Sequence, residues 1–168
     1  KGVLLTHAHK EFTPIYESLM TKYKCTMFAG TGVDYNFNCY RVTEGDRLCL
    51  STQVSVKSIM TPNDPFGGVS WLVVHAEQIM SSTPPYQAIL FSGDLIFGGT
   101  VSSSLLAEHE LQNGKKELAT LMWNAVRRFT GLPDSVQVFK AHGPSEPVAD
   151  TLPARENSST KIYQKVMS

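Results

Sequence analysis

Three short apolar runs in this chain each end on a residue able to hold a cation or a proton, and this arrangement constrains the fold more than any other feature. Val3-Leu4-Leu5-Thr6 delivers His7, Ala88-Ile89-Leu90-Phe91-Ser92-Gly93 delivers Asp94, and Val136-Gln137-Val138-Phe139 leads through Ala141 to His142 and Gly143. Short β-prone runs bounded by turn formers read as buried strands. When the ends of such strands converge on one edge, they make a site. The first run adds a second histidine, His9. Side chains two apart in an extended segment share a side, so His7 and His9 can hold one ion between their imidazoles. Two histidines alone fit equally well a pair in which one ring caps a backbone group and the other is solvated. Distant partners have to decide between these readings.

The 168 residues suffice for one domain, residues 1–168, and 42% of them are hydrophobic, enough for a core. A chain of this length buries roughly 70% of its unfolded surface. Fifteen Lys plus Arg balance fifteen Asp plus Glu, so no net field draws in nucleic acid or anionic lipid. The three cysteines, Cys25, Cys39 and Cys49, are odd in number and lack C-x-x-C spacing. Neither a disulfide framework nor a thiolate zinc knuckle follows, and a reducing compartment, the cytoplasm or the mitochondrial matrix, fits better. Their positions on or beside strands suggest buried, unreactive thiols. No apolar run reaches the ~20 residues that span a bilayer, and no secretory signal is present. The chain starts within a few residues of a buried strand, an odd place for a natural N-terminus. Preceding sequence is therefore expected.

The remaining elements follow from spacing. Thr13 as N-cap and Pro14 at the first helical position, with Ile15, Leu19 and Met20 behind them, predict a helix over 14–22. Cys25 to Ala29 reads as a strand and Gly30 to Asn38 as a loop. Arg41 to Leu50 reads as a hairpin about Gly45-Asp46, followed by a strand from Gln53 to Met60 with Val54 and Val56 on one face. Thr61 to Gly68 holds two prolines and two glycines, a loop that carries Asp64. Val69 to His75 and the fully buried run Ala88 to Phe91 are strands, separated by a connector at Ser81 to Pro85. The stripe Leu118, Leu121, Met122, Ala125, Val126 and Phe129 predicts a helix over 115–129, stopped by Gly131 and Pro133. A terminal helix is expected near 160–167. Met60 and Trp71 read as core, and His75 and His109 as surface or hydrogen-bonded histidines.

In this order the segments resemble the metallo-β-lactamase fold, and within it the glyoxalase II and persulfide dioxygenase branch. Thr6 to Phe12 is similar to that family's T-H-x-H-x-D-H loop, and Glu44-Gly45-Asp46 with Leu48 to its acidic hairpin. Thr61-Pro62-Asn63-Asp64 stands where the family has T-P-G-H, with Gly67 to Leu72 continuing the same motif like G-S-V-S-Y-L. Phe91 to Phe97 is similar to F-T-G-D-x-L-F, and Val138 to Gly143 to the closing V-Y-P-x-H-G. Each motif is weak alone; five in order are specific. The resemblance implies a four-layer αββα sandwich whose first strands precede the H-x-H loop. Roughly the first quarter of the fold would then lie upstream, be disordered, or come from another chain.

The same resemblance implies a ligand set of His7, His9, Glu11, Asp64, Asp94 and His142. It also marks departures. Phe12 replaces a histidine and cannot ligate, Asp64 supplies oxygen where the family has nitrogen, and Glu11 is one methylene longer than aspartate. A two-metal site is damaged by these changes, whereas six donors with three carboxylates can still hold one zinc, iron or manganese ion. The persulfide dioxygenase triad would map to His7, Asp64 and Asp94, with one histidine too few for simple transfer of that activity. Two functions follow from this. One is a metal-free descendant serving as a scaffold or subunit with protein partners in a larger assembly. The other is a mononuclear hydrolase of a thioester or thiol adduct, with Asp94 and Glu11 as catalytic carboxylates. The family's G-G-x-G-R is replaced by Gly98-Gly99-Thr100-Val101-Ser102, so the thiol carrier is not defined. Tyr35, Tyr40, Lys140 and Arg155 lie in or near loops that can reach the site, and solvated positions explain each equally well.

Overall fold

The computed structural model describes residues 1–7, 12–31, 35–61, 68–75, 88–97, 100–101, 120, 123–129, 131–132, 136–141 and 150–151. Alternating apolar side chains along its strands build two sheets that face each other. The smaller sheet is parallel, in the order β1 (Gly2–Leu4), β2 (Thr26–Gly30), β3 (Tyr40–Val42). Parallel neighbours need a crossover, and α1 (Thr13–Tyr23) provides it between β1 and β2. The larger sheet has six strands: β4 (Arg47–Cys49), β5 (Val54–Met60), β6 (Val69–His75), β7 (Ala88–Gly93), β10 (Gln137–Lys140) and β11 (Asp150–Thr151). Their spatial order is β11-β10-β7-β6-β5-β4, with β7 and β10 parallel and the other pairs antiparallel. A small separate ribbon pairs β8 (Ile96–Phe97) with β9 (Thr100–Val101).

Three apolar clusters show how these parts stack. Val42, Val56, Val69 and Trp71 are buried between the two sheets, with Leu4, Phe28 and Leu48 packed against them. Met27, Ala29 and Leu5 lie on the far side of the smaller sheet, beneath Tyr16, Leu19 and Met20 of α1. Leu72, Val74, Leu90 and Val138 line the far side of the larger sheet, against Ala125 and Phe129 at the helical segment 123–127. The layers are therefore helix, sheet, sheet, helix, as expected. Trp71 and Met60 pack in the middle cluster, Trp71 fully buried and Met60 half-buried.

Several sequence expectations need correction. Thr13 is the first residue of α1, and its predecessor Phe12 occupies the N-cap without a side-chain cap. Pro14 thus moves one place inward, still within the first turn, where its missing N–H has no intrahelical partner to lose. The two pieces flanking Gly45-Asp46 are not a hairpin: β3 pairs with β2 and β4 with β5, so the chain changes sheets at this turn. The hairpin is β4–β5, closed by Leu50 N–H on Val54 O and by Ser51 Oγ, which accepts from the Gln53 and Val54 amides. Phe91, expected to be buried, is exposed and stacks on Phe139. Cys49 is exposed, while Cys25 and Cys39 are half-buried. The terminal helix, Leu118, Leu121, Met122, His109 and Arg155 lie outside the described residues.

Candidate metal centre

The site is assembled from the exits of β1, β7 and β10 and the entry to β6. Leu5 extends β1 by one further bond, its N–H donating to Phe28 O. The chain then turns onto the larger sheet. Leu5 O accepts from Trp71 Nε1 at 3.0 Å, within the protein interior, and Thr6 O accepts from the Val69 amide at 2.7 Å. These two bonds pin the peptide before His7 to the start of β6. Ser70 Oγ of β6 donates to Ser92 O on the neighbouring β7, and the buried Ser92 hydroxyl reaches Gly93 O and Phe139 O. Ala141 N–H donates to Gly93 O, where the β7–β10 register shifts between Phe139 and Lys140.

Gly93 ends β7 with φ of +60°, and a Cβ there would lie 3.0 Å from Thr6 Cβ. Glycine serves both needs, the left-handed backbone and the close approach of two strand exits. That approach brings His7 to Asp94: Nε2 and Oδ2 are 3.5 Å apart, with side chains 9% and 23% exposed. His7 Nδ1 is hydrogen-bonded to Thr6 Oγ1 at 3.1 Å, which orients the ring and turns Nε2 toward the carboxylate. The other Asp94 oxygen, Oδ1, is buried.

The spacing bears directly on metal binding. Two donors each about 2.1 Å from a tetrahedral ion are separated by about 3.4 Å, and the His7–Asp94 pair stands at 3.5 Å. An imidazole and a carboxylate suit zinc, iron or manganese. The hydrogen bond from Thr6 to the second ring nitrogen is the kind of outer contact that fixes a ligating histidine. In donor type and separation, His7 and Asp94 fit two ligands of one metal ion.

Of the six expected ligands, the structure brings His7 and Asp94 together; His9, Glu11, Asp64 and His142 lie outside the described residues. Among the described residues no group of three His, Cys, Asp or Glu side chains gathers as a metal site. Phe12 stands at the start of α1 and is 45% exposed. Tyr35 lies beneath the Arg41 guanidinium at 4.3 Å, and Tyr40 packs on Phe28. Burial pushes the nearby Cys39 thiol up from its usual range, and the Arg41 charge partly opposes this. Sequence reasoning named His7 and Asp94 but missed Thr6, Gly93, Ser70 and Ser92 as their supports. The only local signal was the Thr-His and Ser-Gly-Asp grouping at the strand ends.

Two faced sheets between flanking helices are the architecture of the metallo-β-lactamase fold, and solved structures agree. A metallo-β-lactamase from Staphylococcus aureus subsp. aureus COL superposes with a TM-score of 0.71 at 20% identity, over 99% of this chain and 52% of that one. A B3 metallo-β-lactamase with an active-site glutamic acid gives 0.65 at 15% identity, over 98% of this chain and 68% of the other. TTHA1623, solved in a di-iron-bound form, gives 0.58 at 19% identity, over 94% and 75%. The chain thus spans about half the length of the Staphylococcus aureus protein it matches. No family model and no curated protein sequence matches it.

Proposed function

We propose that this chain is a mononuclear metal-dependent hydrolase of glyoxalase II type, acting on a thioester or thiol adduct. The observation that carries this reading is the 3.5 Å approach of His7 Nε2 to Asp94 Oδ2, with Thr6 holding the ring. His9, Glu11, Asp64 and His142 complete the proposed ligand set. One ion rather than two is supported by Phe12, an apolar ring where the resembling family has a histidine. Similarity to a B3 metallo-β-lactamase with an active-site glutamic acid and to a protein in a di-iron-bound form supports oxygen-rich ligation and leaves zinc, iron and manganese as candidates.

When bound, such an ion acidifies a water and polarises the carbonyl it attacks. The chain's own residues do the positioning. His7 presents Nε2 because Thr6 Oγ1 holds Nδ1. Asp94 keeps Oδ1 buried and directs Oδ2 into the site, where it can hold a proton leaving the attacking water. Glu11 is the second carboxylate assigned to orient that water.

Elemental analysis of protein prepared without chelator tests the proposal. About one equivalent of a transition metal is expected, lost in both His7→Ala and Asp94→Ala. The metal-loaded protein should then hydrolyse a glutathione thioester, and either variant should not. A second reading, a metal-free scaffold subunit with protein partners, is favoured by one observation, Phe12 at a ligand position. Less than about a tenth of an equivalent of metal, with no turnover, selects that reading and sinks the first.

A further inference from the structure

The outer edge of β5 loses its partner strand before β5 ends. β4 pairs with it only from Ser55 to Lys57. The β3–β4 turn carries the ladder one step on, Ser58 N–H donating to Asp46 O and Gly45 N–H to Ser58 O. By the alternation of an antiparallel ladder, Met60 presents the next N–H and C=O on this edge, and side chains meet them in place of a strand. Glu44 Oε2 accepts from the Met60 amide at 2.7 Å. Arg128 Nη1 donates to Met60 O at 2.5 Å and to Glu44 Oε2 at 2.7 Å. Three bonds therefore close around one residue.

Both side chains stand on well-tied backbone. Glu44 precedes Gly45, whose amide is bonded to Ser58. Arg128 N–H donates to Ala125 O, and Ala125 and Phe129 are each 1% exposed, packed on the far side of the larger sheet. The pair itself is open to water, Arg128 at 38% and Glu44 at 48%. Exposed ion pairs add little stability, so what this one contributes is geometry.

Its target is the exit of β5. Thr61 N–H donates to Gly68 O at 2.9 Å, and Val69 N–H to Thr6 O at 2.7 Å. The stretch from Thr61 to Gly68 is thus closed at its base. Its return is tied to the peptide before His7, and its departure to Glu44 and Arg128. Asp64 is three residues from Thr61 and four from Gly68. It can stand no more than about 11 Å from Thr61, so a shift at the base is carried to it.

We propose that Glu44 and Arg128 are positioning residues of the metal centre: by holding both backbone polar groups of Met60 they fix where the chain leaves β5, and so bring Asp64 to the ion shared by His7 and Asp94. The proposal rests on the reading of Asp64 as a ligand. Neither Glu44 nor Arg128 is itself a ligand in it. Metal sites need their donors within about 0.2 Å of the proper distance, so a displaced base weakens the hold on the ion without unfolding the chain.

Zinc affinity of the 168-residue protein, measured by competition with a chromophoric chelator, tests this in the parent, Arg128→Met, Asp64→Ala and the double variant. Arg128→Met keeps an aliphatic stem and removes the donors. It should bind zinc about tenfold more weakly. In the metal-free protein the urea midpoint should move little, while exchange of the Thr61 amide hydrogen becomes faster. Arg128→Lys, whose ammonium can serve both oxygens, should recover most of the affinity. In the Asp64→Ala background Arg128→Met should weaken zinc no further, because the two act through one donor. Parental affinity in Arg128→Met, or the same loss with and without Asp64, overturns the proposal while leaving Asp64 a ligand. Parental affinity in Asp64→Ala removes Asp64 from the ligand set, and the proposal with it.

Discussion

Thr6 is the residue whose small change should have the largest effect on the site. Its hydroxyl holds His7 Nδ1, its carbonyl anchors β6, and its Cβ lies against Gly93. Thr6→Val removes the first contact alone and keeps the side-chain shape. Losing an outer-shell contact of this kind typically weakens metal binding about 10- to 100-fold. Competition against a chromophoric chelator should show that loss, with the unfolding midpoint in urea nearly unchanged; an unaltered affinity would mean that Thr6 does not orient the ring. That His7 and Asp94 stand at strand exits was legible in the sequence because each follows an apolar run. The roles of Thr6 and Gly93 were not, because they depend on two strand exits far apart in the chain coming within van der Waals contact. His9, Glu11, Asp64 and His142 rest on the resemblance.

At the scale of elements, the turn between β3 and β4 ties three parts of the molecule together. Asp46 Oδ2 accepts from the Thr43 amide and hydroxyl. Ser58, fully buried on β5, donates its hydroxyl to Thr43 O, exchanges backbone bonds with Asp46 and Gly45, and so locks the crossing to the larger sheet. Glu44 Oε2 accepts from the Met60 amide and from Arg128, which also donates to Met60 O. Ser58→Ala should cost about 1–2 kcal/mol, since a buried acceptor loses a bond that water cannot replace. Arg128→Ala should cost about 1 kcal/mol or less, because that ion pair is substantially solvated. Urea unfolding of both variants checks the order; a larger loss for Arg128→Ala would reverse the assignment. The Gly45-Asp46 turn was readable from composition, but the partners of the strands around it were not. A local pattern of apolar residues around a turn does not say which sheet each side joins. Here burial of Val42 and Val56 between the sheets decides it.

At the scale of the molecule, the layer order was expected from the resemblance, whereas periodicity marked only single elements: alternation in β5, a continuous apolar run in β7, and a helical stripe ending at Ala125 and Phe129. Among the described residues, no helix is long and apolar enough to cross a membrane. That the larger sheet is the wider one among the described residues was not legible, since nothing local in Phe91 distinguishes a buried aromatic from an exposed one. One of the bonds that join the sheets, Trp71 Nε1 to Leu5 O, has an optical consequence. Trp71 is buried and Trp123, the second tryptophan, is half-buried. In a Trp123→Phe background the remaining indole is a single fluorophore at the seam beside the His7 exit. Its emission should be blue while the sheets stay joined and shift red when they part, so light from one ring reports whether the site's foundation is intact.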